Sequence, residues 1–129
     1  MTTASIEKRD IHFGIEGCQL RDWHPMGPFV SQYFNAMSLF FPEGEQFFID
    51  TVRHYRDRGR ITEPRLLEEV KGFIGQEAMH GREHRAYNTA LAEAGYPAQE
   101  LEAKAVALLN FGRKILPQAD QLANTIALE

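Results

Sequence analysis

The segment FIGQEAMHGREH, residues 73–84, contains a glutamate and two histidines at spacings suited to binding a metal ion. An α-helix turns by about 100° per residue, so Glu77, His80 and His84 would lie within about 60° of one another on one face. The same face carries apolar residues such as Val70. Carboxylate oxygens and imidazole nitrogens bind iron, manganese and zinc. The sequence therefore predicts potential metal ligands on the side of this helix that faces the core.

A second glutamate is predicted to be buried in the preceding helix. Glu45 shares its helix face with Phe48, Ile49 and Val52. A buried carboxylate without a partner is costly, so it must find a cation or shift its pKa. Lysine and arginine are nearly absent from both predicted inner faces. A bound metal ion is therefore the simplest partner for Glu45 and Glu77.

Helical bundles that bind two iron or two manganese ions provide a pattern for such a site. They take a glutamate from each of two helices and a Glu-x-x-His pair from each of two others. Here Glu45 would be a lone glutamate, and Glu77 with His80 would form one pair. His84 would be a third nitrogen ligand or a hydrogen-bond donor beside the metal. Glu129 would be the second lone glutamate, unless it is a frayed helix end, and the second pair is not in this sequence.

Two other interpretations of these residues stay open. His80, Glu83 and His84 match H-x-x-E-H, in which two histidines bind zinc and the glutamate is the general base of a hydrolase. Against this interpretation, Glu83 lies about 120° from Glu77 around the helix, where we expect it to face solvent. The interpretation also gives Glu45 and Glu77 no role. Alternatively, the two histidines are hydrogen-bonded core residues and Glu77 pairs with one of them. A further function, from another class, is metal binding or storage without catalysis, or a purely structural helical dimer.

The elements that position these residues are predicted to be long helices. Residues 1–27 show no clear periodicity and are predicted to form an N-terminal arm, and residues 28–129 a helical bundle. The helix of Glu77 should extend from about residue 63 to about residue 94, with Thr62 as its N-cap. The sequence contains no strand alternation, hairpin turn or glycine-rich phosphate loop. It therefore predicts an all-α fold.

Composition excludes several classes of partner. The chain has 129 residues, enough for one domain with a core, and a formal net charge of −4, which argues against nucleic acid and anionic membranes. A single cysteine, Cys18, excludes an internal disulfide and fits a reducing compartment. There is no signal-peptide pattern and no apolar run of the ~18 residues that a membrane span needs. We expect a cytoplasmic protein without a nucleic-acid or membrane partner.

Three stretches of the chain resemble a bacterial family of predicted metal-dependent hydrolases: NAMSLFFPEGEQFFIDTVRHYRD, FIGQEAMHGREHRAYN and LANTIALE. That family is usually grouped with ferritin-like di-iron carboxylate proteins. The resemblance therefore implies a partial ferritin-like bundle of long antiparallel helices with a two-metal iron site, manganese and zinc being the other candidates. It assigns Glu45, Glu77 and His80 as metal ligands, places His84 close by, and makes Glu129 the start of a third ligand-bearing helix.

The resemblance also implies that this chain corresponds to the N-terminal half of the family pattern. Family members continue beyond the position of Glu129, so the last helix would be truncated here and the second Glu-x-x-His pair would be missing. Two copies related by a twofold axis would restore the ligand count and cover exposed apolar faces. We therefore expect a homodimer, and a non-haem di-iron oxidase or oxygenase, or a fragment of one. Its small-molecule substrate is not indicated by the sequence.

Overall fold

The computed structural model describes residues 6, 8–15 and 17–129, and this part of the chain contains helices but no strand. The all-α helical bundle predicted from the sequence is therefore confirmed. None of the described helices is long and apolar enough to cross a membrane. The helices are α1 (Pro28–Ser38), α2 (Phe41–Asp57), α3 (Pro64–Glu93), α4 (Ala98–Ile115) and α5 (Gln118–Leu128).

The bounds of α3 agree with the predicted helix, but its N-cap does not. The cap is Glu63, whose carboxylate accepts hydrogen bonds from the backbone N–H groups of Arg65 and Leu66. Pro64 takes the first helical position, where a missing N–H costs nothing. The prediction of Thr62 as the cap was wrong. The helix begins at Pro64, one residue later than a cap at Thr62 would require.

The second helix is the centre of the bundle, because α2 contacts each of the other four helices. Its most extensive contact is with α3, and the two helices are antiparallel. Glu45, early in α2, lies beside His80, late in α3. Further along α2, Ile49 packs against Val70 and Ile74 from the earlier part of α3. This pairing brings the candidate ligands of the two helices to the same level of the bundle.

The core consists of two apolar clusters with a polar layer between them along α3. The first cluster comprises Leu20, Leu39, Leu91 and Ala98. The second comprises Ile49, Val70 and Ile74. Between them, Glu77 and Asn88 are 4 % exposed, and Glu45 on α2 is 2 % exposed. Polar groups are rarely buried so deeply without partners, so this layer is the part of the core that requires a specific explanation.

The segment before α1 covers one side of α3. The guanidinium of Arg82 donates to the Asp10 carboxylate over 2.6 Å and to the backbone carbonyl of Ile11 over 3.0 Å. Leu20 is 4 % exposed and anchors the segment in the first cluster. Residues 1–5, 7 and 16 of the predicted arm lie outside the described residues.

Candidate metal centre

Three predicted ligands meet between α2 and α3. One potential ligand atom each from Glu45, His80 and His84 lies within 4.8 Å of the other two. His80 Nδ1 is 2.8 Å from Glu45 Oε1, and the Nε2 atoms of the two histidines are 3.2 Å apart. The four-residue spacing stacks the two imidazoles on one face of α3, and the antiparallel pairing supplies the carboxylate from α2. The tertiary structure therefore assembles a Glu/His/His group.

The buried carboxylates of this layer lack hydrogen-bond partners. Both oxygens of Glu45, and Oε2 of Glu77, are buried without a partner among the described residues. Although His80 Nδ1 is 2.8 Å from Glu45 Oε1, the contact does not have hydrogen-bond geometry. Unpartnered buried carboxylate oxygens beside two imidazoles are the donor set that a cation would satisfy. The residues present therefore fit a metal ion.

Burial shifts the protonation of the group toward neutral forms. It raises the pKa of Glu45 to about 8, an effect strengthened by the neighbouring charge of Glu77 and opposed by Arg85. Burial also raises the pKa of Glu77 to about 7, with the charge of Glu129 as the second cause. Burial is the larger cause that lowers the pKa of His84 to about 4, and the charge of the neighbouring His80 is the second cause. Metal binding must therefore displace protons from the carboxyl groups but not from His84.

Two neighbours shape the space around the ligands. The ring of Phe41 stacks on His84, with ring centroids 4.4 Å apart and planes 12° apart. Gly81 faces Glu45 closely, since a Cβ atom built there would be 2.5 Å from Glu45 Oε2. The Phe41 ring restricts the orientation of the His84 ring, and the absence of a side chain at Gly81 lets the Glu45 carboxylate approach α3.

His84 is also held by a polar chain from other helices. Its Nδ1 is 2.8 Å from Ser38 Oγ at the end of α1, and Ser38 Oγ donates to Asn88 Oδ1 over 2.7 Å. Asn88 Nδ2 donates to Glu102 Oε1 on α4 over 2.6 Å. Sequence reasoning missed Ser38 and Glu102, because their distance in sequence from the Glu-x-x-His segment leaves no spacing to detect.

The remaining predicted ligands lie near the group rather than inside it. Glu77 is buried one turn before His80, and its charge raises the pKa of Glu45. Glu129 is exposed at the end of α5, yet it raises the pKa of both buried glutamates.

His80 belongs to the Glu/His/His group but is less buried than the sequence predicted. Its side chain is 46 % exposed, although the helical phase placed it on the inner face. It lies at the edge of that face, where α2 covers it only in part.

Glu83, the general base of the zinc-hydrolase interpretation, points to the segment before α1 instead of to solvent. Its carboxylate accepts hydrogen bonds from the backbone N–H of Phe13 over 3.1 Å and from Arg82 Nε over 2.9 Å. Its side chain is only 12 % exposed, so the prediction that it faces solvent was wrong. The hydrogen bond from Phe13 is the largest cause that lowers the pKa of Glu83, and the hydrogen bond from Arg82 lowers it further. Glu83 is therefore a weaker base.

Two concave surfaces reach the group from different sides. A largely apolar groove of about 540 Å³ between α2, α4 and α5 is lined by Glu45 and Glu129 among phenylalanine and leucine side chains. A pocket of about 440 Å³ under the segment before α1 is lined by His80 and His84 with aromatic residues that include Trp23. A small molecule or a second protein surface could therefore approach the ligands.

The fold and the ligand group define a helical protein with a carboxylate–histidine group suited to a metal ion. A family model described as "Predicted metal-dependent hydrolase" matches residues 7–129. The chain therefore belongs to this family, as the resemblance of its sequence motifs indicated. Comparison with curated proteins and with solved structures gives no match.

The contact between Gly81 and Glu45 gives a stability prediction. Gly81→Ala should lower the free energy of unfolding by roughly 1–3 kcal/mol, because the new methyl group would overlap the buried carboxylate of Glu45. Gly112→Ala in α4 is the matched control: its methyl would meet only Leu116 at 4.0 Å, and it should stabilise the protein by roughly 0.4–1 kcal/mol. Urea denaturation of metal-free protein measures both. Equal stabilisation by the two substitutions would contradict the close packing.

The raised pKa values of the buried glutamates predict how stability depends on pH without metal. Between pH 4.5 and about 8 the native Glu45 binds a proton that the unfolded chain has released, so its stabilising contribution is lost as the pH rises through about 8. Glu77 acts in the same direction up to about 7. His84 has the opposite effect on stability, but only between about pH 4 and pH 6.5. The free energy of unfolding should therefore fall from about pH 6.5 to about pH 8.

The matched variants for this pH dependence are Glu45→Gln and Glu83→Gln. Glu45→Gln removes the titrating group and should flatten the decline, whereas Glu83→Gln should leave it unchanged because Glu83 is already ionised in this range. Chemical denaturation at a series of pH values in the presence of a chelator measures the slope. A decline of the same size in Glu45→Gln would mean that another group causes it.

Proposed function

We propose that this protein is a non-haem metal-dependent enzyme whose centre is bound by Glu45, Glu77, His80 and His84. The observation that carries the proposal is the buried Glu45 carboxylate, which lies beside two imidazoles with both oxygens unpartnered among the described residues. A second buried carboxylate, Glu77, also has an unpartnered oxygen, Oε2. Membership of a family described as metal-dependent supports the proposal. The contact of His80 Nδ1 with Glu45 Oε1 at 2.8 Å accounts for this arrangement only in part, because Glu77 Oε2 and both Glu45 oxygens are left without a hydrogen-bond donor among the described residues.

The number of carboxylates favours two metal ions over one. Glu45 and Glu77 are both buried, and Glu129 is close enough to influence both. Bundles with two iron or manganese ions use such carboxylate-rich sets with Glu-x-x-His pairs. Iron is the metal we propose, with manganese as the alternative, in a partial ferritin-like bundle. Iron bound by carboxylates and histidines supplies oxidase or oxygenase chemistry with O₂.

The surrounding residues would bind the substrate and orient the ligands. The pocket beside His80 and His84 offers aromatic surface from Phe34, Trp23 and Tyr87. Aromatic lining of this kind is typical of sites that bind small molecules. The pocket therefore favours a small apolar molecule as substrate.

A zinc hydrolase is the second candidate, and two observations favour it. The family is described as hydrolases, and Glu45, His80 and His84 form the two-histidine, one-glutamate set that some catalytic zinc sites use. In this case Glu77, and not Glu83, would be the buried carboxylate available as a base near the metal.

Metal content distinguishes the two candidates. Protein reconstituted anaerobically with ferrous iron should retain about one iron per chain, because two chains together would supply the ligands of a two-metal site. Glu77→Gln and His84→Ala should lose most of this iron, whereas Glu83→Gln should retain it, since Glu83 is held by Arg82 and Phe13. Elemental mass spectrometry measures the content.

The other possible metal contents have definite meanings. One zinc per chain that is retained in Glu77→Gln but lost in His84→Ala would favour the hydrolase with a single metal. Absence of iron, manganese and zinc from reconstituted wild-type protein would contradict both candidates. The buried glutamates would then be protonated core residues.

We further propose that the protein acts as a homodimer, with the second copy seated on the groove that contains Glu45. The groove that contains Glu45 is continuous with exposed apolar side chains of α4 and α5: Leu108 (62 % exposed), Phe111 (58 %) and Leu128 (72 %). A second copy seated there would cover this apolar surface and approach Glu45.

Sedimentation velocity tests the dimer. Wild-type protein should sediment as a dimer. Phe111→Asp should raise the dissociation constant of the dimer at least tenfold, because a charge would be buried in the interface. Phe29→Asp is the control: Phe29 is 83 % exposed on α1, away from the groove, and its substitution should leave the dimer intact. A wild-type monomer that still binds iron would contradict the shared site.

A further inference from the structure

We infer that Ser38, Asn88 and Glu102 are positioning residues that hold His84 in one tautomer, with the proton on Nδ1 and the lone pair of Nε2 available for a metal ion. The inference rests on the proposed function for the role of Nε2. The hydrogen-bond assignment itself rests only on the contacts of the described residues. These residues come from α1, α3 and α4, so the arrangement is a product of the assembled bundle.

The orientation of the Asn88 amide is the first step. One end of the amide faces two oxygens: the backbone carbonyl of Ser38 at 3.1 Å, which can only accept a hydrogen bond, and Glu102 Oε1 at 2.6 Å. An NH₂ group has two N–H donors, so this end is the nitrogen, Nδ2. The other end, which faces the Ser38 hydroxyl, is therefore the oxygen, Oδ1.

The proton of the Ser38 hydroxyl follows from this orientation. Asn88 Oδ1 has no hydrogen to give, so Ser38 Oγ donates its single proton to Oδ1 over 2.7 Å. Ser38 Oγ then has only lone pairs to offer to its other neighbour, His84 Nδ1, at 2.8 Å. Because two acceptors cannot share a hydrogen bond, Nδ1 of His84 must carry the proton.

The tautomer of His84 is thus determined, and it determines which nitrogen can ligate. In a neutral imidazole with a proton on Nδ1, Nε2 has the lone pair. That nitrogen lies 3.2 Å from His80 Nε2, within the Glu/His/His group, whereas Nδ1 faces α1. The Phe41 ring, stacked 4.4 Å away, holds the plane of the imidazole in this direction. Glu102 acts at the far end by keeping Asn88 in its orientation.

The test compares Ser38→Ala with Ser31→Ala. Both serines are buried in α1, but Ser31 bonds to Gly27 and to the backbone N–H of His24 and not to His84. Long-range ¹H–¹⁵N correlation spectra of metal-free protein report which ring nitrogen of His84 carries the proton. Wild type and Ser31→Ala should show the Nδ1–H form, and Ser38→Ala should show a mixture or the Nε2–H form. Ser38→Thr retains a hydroxyl and should restore the Nδ1–H form.

Titration with Co²⁺, followed by its visible absorption, measures the consequence for metal binding. Loss of a hydrogen bond to a ligating histidine typically weakens metal binding roughly 10- to 100-fold, and we expect this for Ser38→Ala, with recovery in Ser38→Thr and little change in Ser31→Ala. Circular dichroism checks that each variant is folded. Glu102→Ala should weaken Co²⁺ binding in the same direction as Ser38→Ala, by releasing Asn88.

The two readouts separate failure of this inference from failure of the proposed function. An Nε2–H form of His84 in wild-type protein, or an unchanged tautomer in folded Ser38→Ala, would overturn the inference whether or not Co²⁺ binds. If Ser38→Ala is unfolded, the tautomer of wild-type protein and the Glu102→Ala variant still decide the question. Absence of Co²⁺ binding by wild type, together with an Nδ1–H His84, would contradict the metal function and leave the hydrogen-bond assignment in place.

Discussion

The burial of the Glu45 carboxylate between α2 and α3 is the constraint on which the rest of this structure depends. A carboxylate that is 2 % exposed and has no hydrogen-bond partner among the described residues is stable only when it is neutral or compensated by a cation. Glu77 adds a second buried carboxylate, of which Oε2 is unpartnered among the described residues, and its charge acts on Glu45. The bundle therefore places its least favourable groups together, where one cofactor would compensate both.

The two apolar clusters make this arrangement possible. Leu91 and its neighbours pack on one side of the polar layer, and Ile49, Val70 and Ile74 pack on the other. Burial of the second cluster holds α2 and α3 together, and the first cluster holds α3 against the segment before α1 and the start of α4. The layer between the clusters therefore does not have to supply stability of its own. A metal ion bound by ligands from both helices would add to this pairing, since metal binding energy is coupled to folding. The site and the core thus depend on each other.

The support of His84 shows how the candidate site draws on helices that supply none of its proposed ligands. Ser38 closes α1, Glu102 lies on α4, and Asn88 joins them to the ligand helix. The segment before α1 has a separate effect, because it engages Arg82 and Glu83 on another side of α3. One surface of this helix therefore carries the candidate ligands, and an adjacent surface is occupied by structural ion pairs.

The sequence by itself determined the helical fold, the length of α3 and the burial of Glu45 and Glu77, because helical periodicity is local and can be counted along the chain. It also indicated the family, through motifs that the family match over residues 7–129 confirmed. Only the tertiary structure decided that Glu83 is covered, that His80 lies at a rim and that Ser38 reaches His84. These features depend on which segments pack against a helix face, and that is set by contacts between residues far apart in the sequence.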